Sequence, residues 1–247
     1  MKNTNSKQTI AIIGGMGPQA STKLLEVLIT MCSEDYGAND GIDYPEIILN
    51  SIPVPEFNSN KNNIDTAFNM LKSRVKDLEI FNPVCFGIAC NTAHVLLSDL
   101  QNKTKVSFVS IIDEVVNQVS NSGIDRIGLL ATPVTISSRL YQSALKKKGI
   151  NVITPSLFER KIVEEIIRNI IAGKSRTKDK ESLILIAENL LYKGSQGIIL
   201  GCTELPLIFP KNFPIPIFDS IEILAEAMLK RFFEKRKGGD SYGKITK

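Results

Sequence analysis

The sequence predicts an α/β protein of mainly parallel sheet, divided into two similar lobes. Three observations carry this. Short apolar runs alternate with longer amphipathic ones from end to end, the pattern of strand–helix–strand units joined by right-handed crossovers. The runs IAII, EIIL, IGLL and GIIL are continuously apolar, as strands buried on both faces require. One element also occurs twice, as GIACNTA and IILGCTE: an apolar strand, a small residue, a cysteine, then polar residues that open the next helix or turn.

In chain order, the apolar runs place strands at 9–13, 46–50, 85–89, 108–111, 126–131, 151–154, 197–200 and 216–218. Helical periodicity between them places helices at 18–32, 64–81, 93–100, 112–119, 137–148, 159–171, 179–193 and 221–233. Pro18 sits where a first helical residue is expected, directly after a Gly-rich turn. Eight strands could close one barrel or form two open sheets, and the repeated cysteine element favours two. Residues 1–110 with 215–247 are then the lobe carrying Cys90, and 111–214 the lobe carrying Cys202.

With 247 residues, 43% of them hydrophobic, the chain has ample material for a large core. The net charge of +4 is local: Lys230, Arg231, Lys235, Arg236, Lys237, Lys244 and Lys247 crowd the C-terminus. Without a basic stripe interleaved with aromatics, this reads as a solvated helix end, and no nucleic-acid partner is expected. No run approaches the roughly 20 apolar residues of a membrane span. The short apolar run after Lys7 is broken by glycines and does not read as a secretory signal. A cytoplasmic protein with reduced thiols is expected, with neither membrane nor metal as a partner, since no C-x-x-C pair accompanies the single histidine.

In open parallel sheets, ligands bind beyond the carboxyl ends of the strands. Cys90, Cys202, the 14–18 turn, Asn50–Ser51 and Ala131–Thr132 all fall there. The turn IIGGMGPQAS matches a dinucleotide fingerprint at Gly15, Gly17 and Ala20. However, the second strand ends in Asn50-Ser51-Ile52-Pro53, without the acidic residue that a ribose needs. A backbone-lined pocket for a small anion, or a purely structural turn, are the other readings. Of the four cysteines, Cys32 and Cys85 read as small buried hydrophobes. Cys90 and Cys202 are flanked by hydrogen-bonding residues, and peptide N–H groups after Cys90 favour a thiolate. His94, four residues on, either modulates Cys90 or bonds within the core. One thiol with His94 would suggest a nucleophile. Two thiols facing one another would instead abstract a proton from one face of a carbon and deliver one to the other.

GGMGPQAS, CNTAH and GCTEL, in this order, resemble the aspartate/glutamate racemase superfamily over roughly residues 9–233, and its aspartate racemase branch most closely. The resemblance implies two Rossmann-like lobes with the active site in the cleft between them. It implies an amino-acid substrate, no pyridoxal phosphate or other cofactor, and commonly a homodimer. It casts Cys90 and Cys202 as the acid/base pair. Asn91, Thr92 and Thr203 would bind the α-carboxylate or orient the thiols, and Met16 and Gly17 would line the pocket with backbone. Thr132 would be a contact from the second lobe. Glu204 would meet the α-ammonium, tune Cys202 or make a structural hydrogen bond.

Aspartate racemases of this branch tend to carry an Arg in a Pro-Asp-Arg turn after the second strand, and a Lys before an Ala-Gly helix end. Here the segments read Pro55-Glu56-Phe57 and Ile170-Ile171-Ala172-Gly173, so Phe57 and Ile171 stand where those cations are expected. Losing both disfavours a buried side-chain carboxylate and opens the pocket to neutral or bulkier amino acids, unless Lys61, Arg160, Lys161 or Lys174 reaches in. Two other functions stay open: a maleate-isomerase-like enzyme with one nucleophilic cysteine, and a non-catalytic protein that binds a small ligand or nucleotide at the Gly-rich turn.

Overall fold

A computed structural model of the chain describes residues 8–57 and 61–239, with the side chains of Lys61 and of residues 236–239 outside the description. The basic tail from Arg236 onward therefore lies outside the described side chains. The elements in order are β1 (Thr9–Gly14), α1 (Pro18–Glu34), β2 (Glu46–Ser51), α2 (Lys61–Glu79), β3 (Pro83–Ile88), α3 (Leu97–Gln101), β4 (Phe108–Val109) and α4 (Ile111–Asn121). There follow β5 (Arg126–Leu130), α5 (Pro133–Ser137), α6 (Leu140–Lys147), β6 (Asn151–Ile153), α7 (Leu157–Ile171), α8 (Thr177–Tyr192), β7 (Ile198–Leu200), β8 (Ile217–Asp219) and α9 (Ser220–Gly239).

All strand pairings are parallel. They form two four-stranded sheets of the same order, β2-β1-β3-β4 and β6-β5-β7-β8. The repeated cysteine element thus marks the same strand of two equivalent sheets. Because β8 pairs with β7, residues 217–219 belong to the second sheet. Helix α9 follows directly at Ser220.

Three apolar clusters hold the layers together. The largest runs between the halves, joining Ile12, Leu24 and Leu28 to Ile127, Leu129 and Ile199 through Leu224 and Met228 of α9. A second packs α2 and α3 on the first sheet, and a third packs α7 and α8 on the second. Burying one such Leu or Ile stabilises the fold by about 1.5–3 kcal/mol. Helix α9 lies against α1, α4 and β3, so the last helix clamps the two halves together.

Local chemistry sets the helix starts. Ser110 caps α4 by accepting from the Asp113 N–H, which ends the strand expected over 108–111 at Val109. The helix expected over 137–148 is two helices. Thr132 caps α5 with Pro133 at its first position, and the chain then breaks at Arg139, whose φ is 55°. Likewise, the segment expected as helix over 93–100 opens as a 3₁₀ turn at Thr92–Leu96 before α3.

Gly15 has a φ of 94°, and a Cβ there would fall on the Ile52 backbone, 2.5 Å from its carbonyl oxygen. Gly15→Ala is expected to destabilise the protein by at least about 2 kcal/mol, read as a lower urea midpoint at unchanged m-value, because strain and a backbone clash add. A midpoint within error of the parent would show that this turn yields freely.

Candidate active site

One cavity of about 230 Å³ opens beyond the carboxyl ends of both sheets. The turn after β1 contributes Met16 and Gly17, and the loop after β2 contributes Val54 and Phe57. Cys90, Asn91 and Thr92 come from the segment after β3, Thr132 from that after β5, and Cys202, Thr203 and Glu204 from that after β7. Every residue expected at the site from the sequence therefore lines a single cavity. Cys90 and Cys202 each follow the end of an inner strand by two residues, one from each sheet, and both are buried at about 5–6% exposure.

The two thiols have different surroundings. Burial, and then the charge of Glu204, push Cys90 up to about 12, while the N–H groups of Ala93 and Thr92 and the Thr92 hydroxyl pull it back. These donors lie at the start of the 3₁₀ turn and stabilise a thiolate. Cys202 is pushed well above the usual thiol range by burial, by the Glu204 charge and by its hydrogen bond to that carboxylate. That bond runs from the Cys202 Sγ to Glu204 Oε2 at 3.0 Å. A thiol donating to a carboxylate is held protonated, so the pair is poised asymmetrically: Cys90 faces three donors, whereas Cys202 has the Glu204 carboxylate as acceptor and the Glu204 N–H as its one donor. A charge on Cys90 raises Cys202 further, which couples the two.

Glu204 is 2% exposed and accepts from three groups: Cys202, the Thr203 hydroxyl at 3.2 Å and the Gly17 N–H at 2.9 Å. The last bond crosses from one half to the other. A Cβ on Gly17 would stand 3.2 Å from both Glu204 Oε1 and Ile171, so glycine permits this close approach. Gly17, expected to line the pocket with backbone, does so with its N–H engaged by Glu204.

Other bonds also tie the halves around the cavity. Thr92 Oγ1 lies 3.0 Å from both Thr132 Oγ1 and Thr135 Oγ1, and Thr203 donates to the Ala89 carbonyl at 3.4 Å. The Asn91 amide is turned inward. Its oxygen accepts from the Tyr141 hydroxyl at 2.5 Å, and its nitrogen donates to Ser220 Oγ at 3.0 Å. Ser220 in turn donates to the Leu200 carbonyl, at the end of the strand that leads to Cys202. The Asn91 side chain is therefore a tie between the two cysteine segments, on the cavity lining. Asn91→Ala strands a fully buried tyrosine hydroxyl. It should reduce stability by about 2–4 kcal/mol in chemical denaturation. A loss below about 0.5 kcal/mol would mean that water or a rotated Ser220 replaces the amide.

His94 settles into the core. Its Nε2 accepts from the Ile111 N–H at 3.0 Å, which puts the proton on Nδ1, 2.9 Å from the Cys90 carbonyl oxygen. Burial pulls its pKa down to about 4, so the ring is neutral and braces the Cys90 backbone, not the sulfur.

Helix α7 supplies a wall of which the sequence reading nominated only Ile171. Glu164, Ile167, Arg168 and Ile171, spaced as one helical face, line the cavity. Ile171 and Phe57 both stand in it, as expected from the two turns that lack cations. Arg160 turns away to Thr154 and Pro155, and neither Lys161 nor Lys174 lines the cavity. Lys61 lies outside the described side chains. Among the described residues, Arg168 is the cation on the wall. An amphipathic pattern identifies such a face but not whether it meets a core or a cavity. Among the described residues, no cluster of three or more His, Cys, Asp or Glu could hold a metal ion, and no helix is long and apolar enough to cross a membrane.

Comparison with known proteins places this geometry among relatives. The family described as Asp/Glu/Hydantoin racemase matches residues 13–228. The chain is 26% identical to the broad specificity amino-acid racemase RacX of Bacillus subtilis (strain 168), over 90% of this chain and 97% of that one. Among solved structures, an aspartate racemase homologue from Pyrococcus horikoshii OT3 superposes with a TM-score of 0.75 at 31% identity, covering 90% of this chain and 98% of that one. The aspartate racemase of Picrophilus torridus superposes with a TM-score of 0.76 at 28% identity, covering 90% and 93%.

Proposed function

The chain belongs to the Asp/Glu/Hydantoin racemase family, and on that premise we propose that it is an amino-acid racemase that needs no cofactor and uses Cys90 and Cys202 as its acid and base. The observation that carries this reading is the placement of two thiols at equivalent strand ends of two equivalent sheets, on one cavity. In one direction the Cys90 thiolate takes the α-proton, and the Cys202 thiol gives its proton to the opposite face of the planar carbanion. In the other direction the roles reverse. The product leaves the two sulfurs with exchanged protonation, and solvent must restore the starting state.

The groups near the thiols suit the constant part of an amino acid. While the N–H groups of Thr92 and Ala93 stay on Cys90, the Thr92, Thr132 and Thr203 hydroxyls can turn from the bonds they make with one another, with Glu204 and with Ala89 to meet an α-carboxylate. Their value lies in the enediolate, where charge moves from Cα onto the carboxylate oxygens. Glu204 keeps Cys202 protonated through the bond at 3.0 Å and stands ready as a counter-charge to the α-ammonium. Burial of both thiols excludes water, which would otherwise compete for the carbanion. Assembly as a homodimer in the cytoplasm belongs to the same proposal, and light scattering on the purified protein tests the dimer.

The test of the reaction is proton NMR in D₂O on reduced protein, without pyridoxal phosphate or metal, with single L- and D-amino acids. Loss of the α-proton signal with appearance of the other enantiomer on chiral chromatography is expected. A covalent adduct at one cysteine, without inversion of any amino acid, would replace this reading with the maleate-isomerase-like one.

A further inference from the structure

The wall of the cavity on α7 bears on which amino acids it accepts. An acidic side chain needs a cation, and among the described residues Arg168 is the one on the wall. Its guanidinium is already engaged. Nη1 lies 3.1 Å from Glu56 Oε1 and Nη2 3.4 Å from Glu56 Oε2, the two-pronged contact a carboxylate makes with arginine. Nη2 also lies 3.1 Å from Glu164 Oε1. Two carboxylates around one guanidinium leave this cluster with one net negative charge. The bond from Glu56 to Arg168 also crosses the cavity, since the loop after β2 belongs to the first half and α7 to the second. The side chains beside the cluster are apolar: Val54 and Phe57 on the loop, Ile167 and Ile171 on the helix.

We propose that Glu56 acts on substrate class: it occupies Arg168 as a substrate's own side-chain carboxylate would, and so disfavours aspartate and glutamate relative to amino acids with uncharged side chains. This rests on the racemase reading above. Three effects act in the same direction. The fork on Arg168 is filled, a third carboxylate is repelled by the two present, and the neighbouring surface favours hydrocarbon. The magnitude is bounded by exposure. Glu56 is 65% and Arg168 56% exposed at their side chains, so solvent screens the pair and its removal should shift selectivity modestly.

The experiment compares wild type, Glu56→Ala, Glu56→Gln and Glu56→Ala/Arg168→Ala on alanine, leucine, methionine, aspartate and glutamate. Two readouts are taken on each sample: kcat/KM from α-proton exchange, and relative binding from saturation-transfer NMR, which needs no turnover. Wild type should favour leucine and methionine over both acidic substrates in each readout. Either Glu56 variant should raise the ratio of acidic to neutral kcat/KM by roughly two- to fivefold, about what freeing one exposed ion pair is worth. Arg168→Ala in the Glu56→Ala background should reverse that gain. Low salt should enlarge the shift, and molar salt should shrink it. Preference of wild type for aspartate or glutamate would overturn the proposal, as would an unchanged ratio in both Glu56 variants or a gain that persists without Arg168. Absence of exchange with any amino acid would remove the racemase reading alone. The binding ratios would then still decide whether Glu56 masks Arg168.

Discussion

Cys90→Ala and Cys202→Ala should each lower racemisation by roughly 10³–10⁴-fold, the upper range for one positioned acid or base. The more telling result comes in D₂O. With one sulfur left, only one face of the α-carbon can be approached. Each single variant should therefore wash deuterium into one enantiomer without inverting it, and the two variants should select opposite enantiomers. The double variant should exchange neither. Full racemisation by either single variant would end the two-base mechanism. Exchange of the same enantiomer by both would mean that the sulfurs do not address opposite faces. Wild-type activity should also rise with pH from neutrality into the alkaline range. A thiolate is required, and burial with the Glu204 charge raises both thiols above their ordinary value.

Glu204→Gln isolates the second large effect. Glutamine retains an oxygen for the Gly17 N–H but removes the negative charge that raises both thiols. Loss of that charge lowers both pKa values, so the acid limb of log(kcat/KM) against pH moves to lower pH. Glu204→Ala also removes the partner that orients the Cys202 Sγ and the tie to the opposite half. A drop in kcat of roughly 10²-fold is expected, the scale of a small misplacement of a reacting group. KM should rise as well, because the same carboxylate is the counter-charge to the α-ammonium. An acid limb in Glu204→Gln that stays in place or moves upward would separate Glu204 from the titrating thiols.

Much of this architecture is legible without coordinates because it rests on local pattern. The eight apolar runs become eight parallel strands; the continuous runs of β1, β5 and β7 are buried, whereas EIIL becomes the edge strand β2 and is only partly buried. Cys90 and Cys202 announce themselves through their setting at strand ends, where open parallel sheets place their ligands. The break between α5 and α6 is less visible. It depends on Thr132 and Pro133 starting a helix early and on Arg139 adopting a left-handed conformation that its sequence does not advertise.

What the amino-acid order determines by itself is the set of elements, their parallel arrangement in two repeated halves and the pair of thiols on one side of them. Hydrophobic periodicity and turn chemistry act over a few residues and so can be read along the chain. The partners of the polar side chains are decided only by tertiary structure. Asn91 meets Tyr141 and Ser220, Glu204 meets Gly17, and Arg168 meets Glu56 across separations of 50 to 187 residues. A buried polar group takes whichever partner packing brings within about 3 Å, and no local pattern encodes that choice. Folding thereby gives the Asn91 amide partners in Tyr141 and Ser220 that no local pattern announces, and puts Arg168, unmarked in the sequence, on the cavity wall.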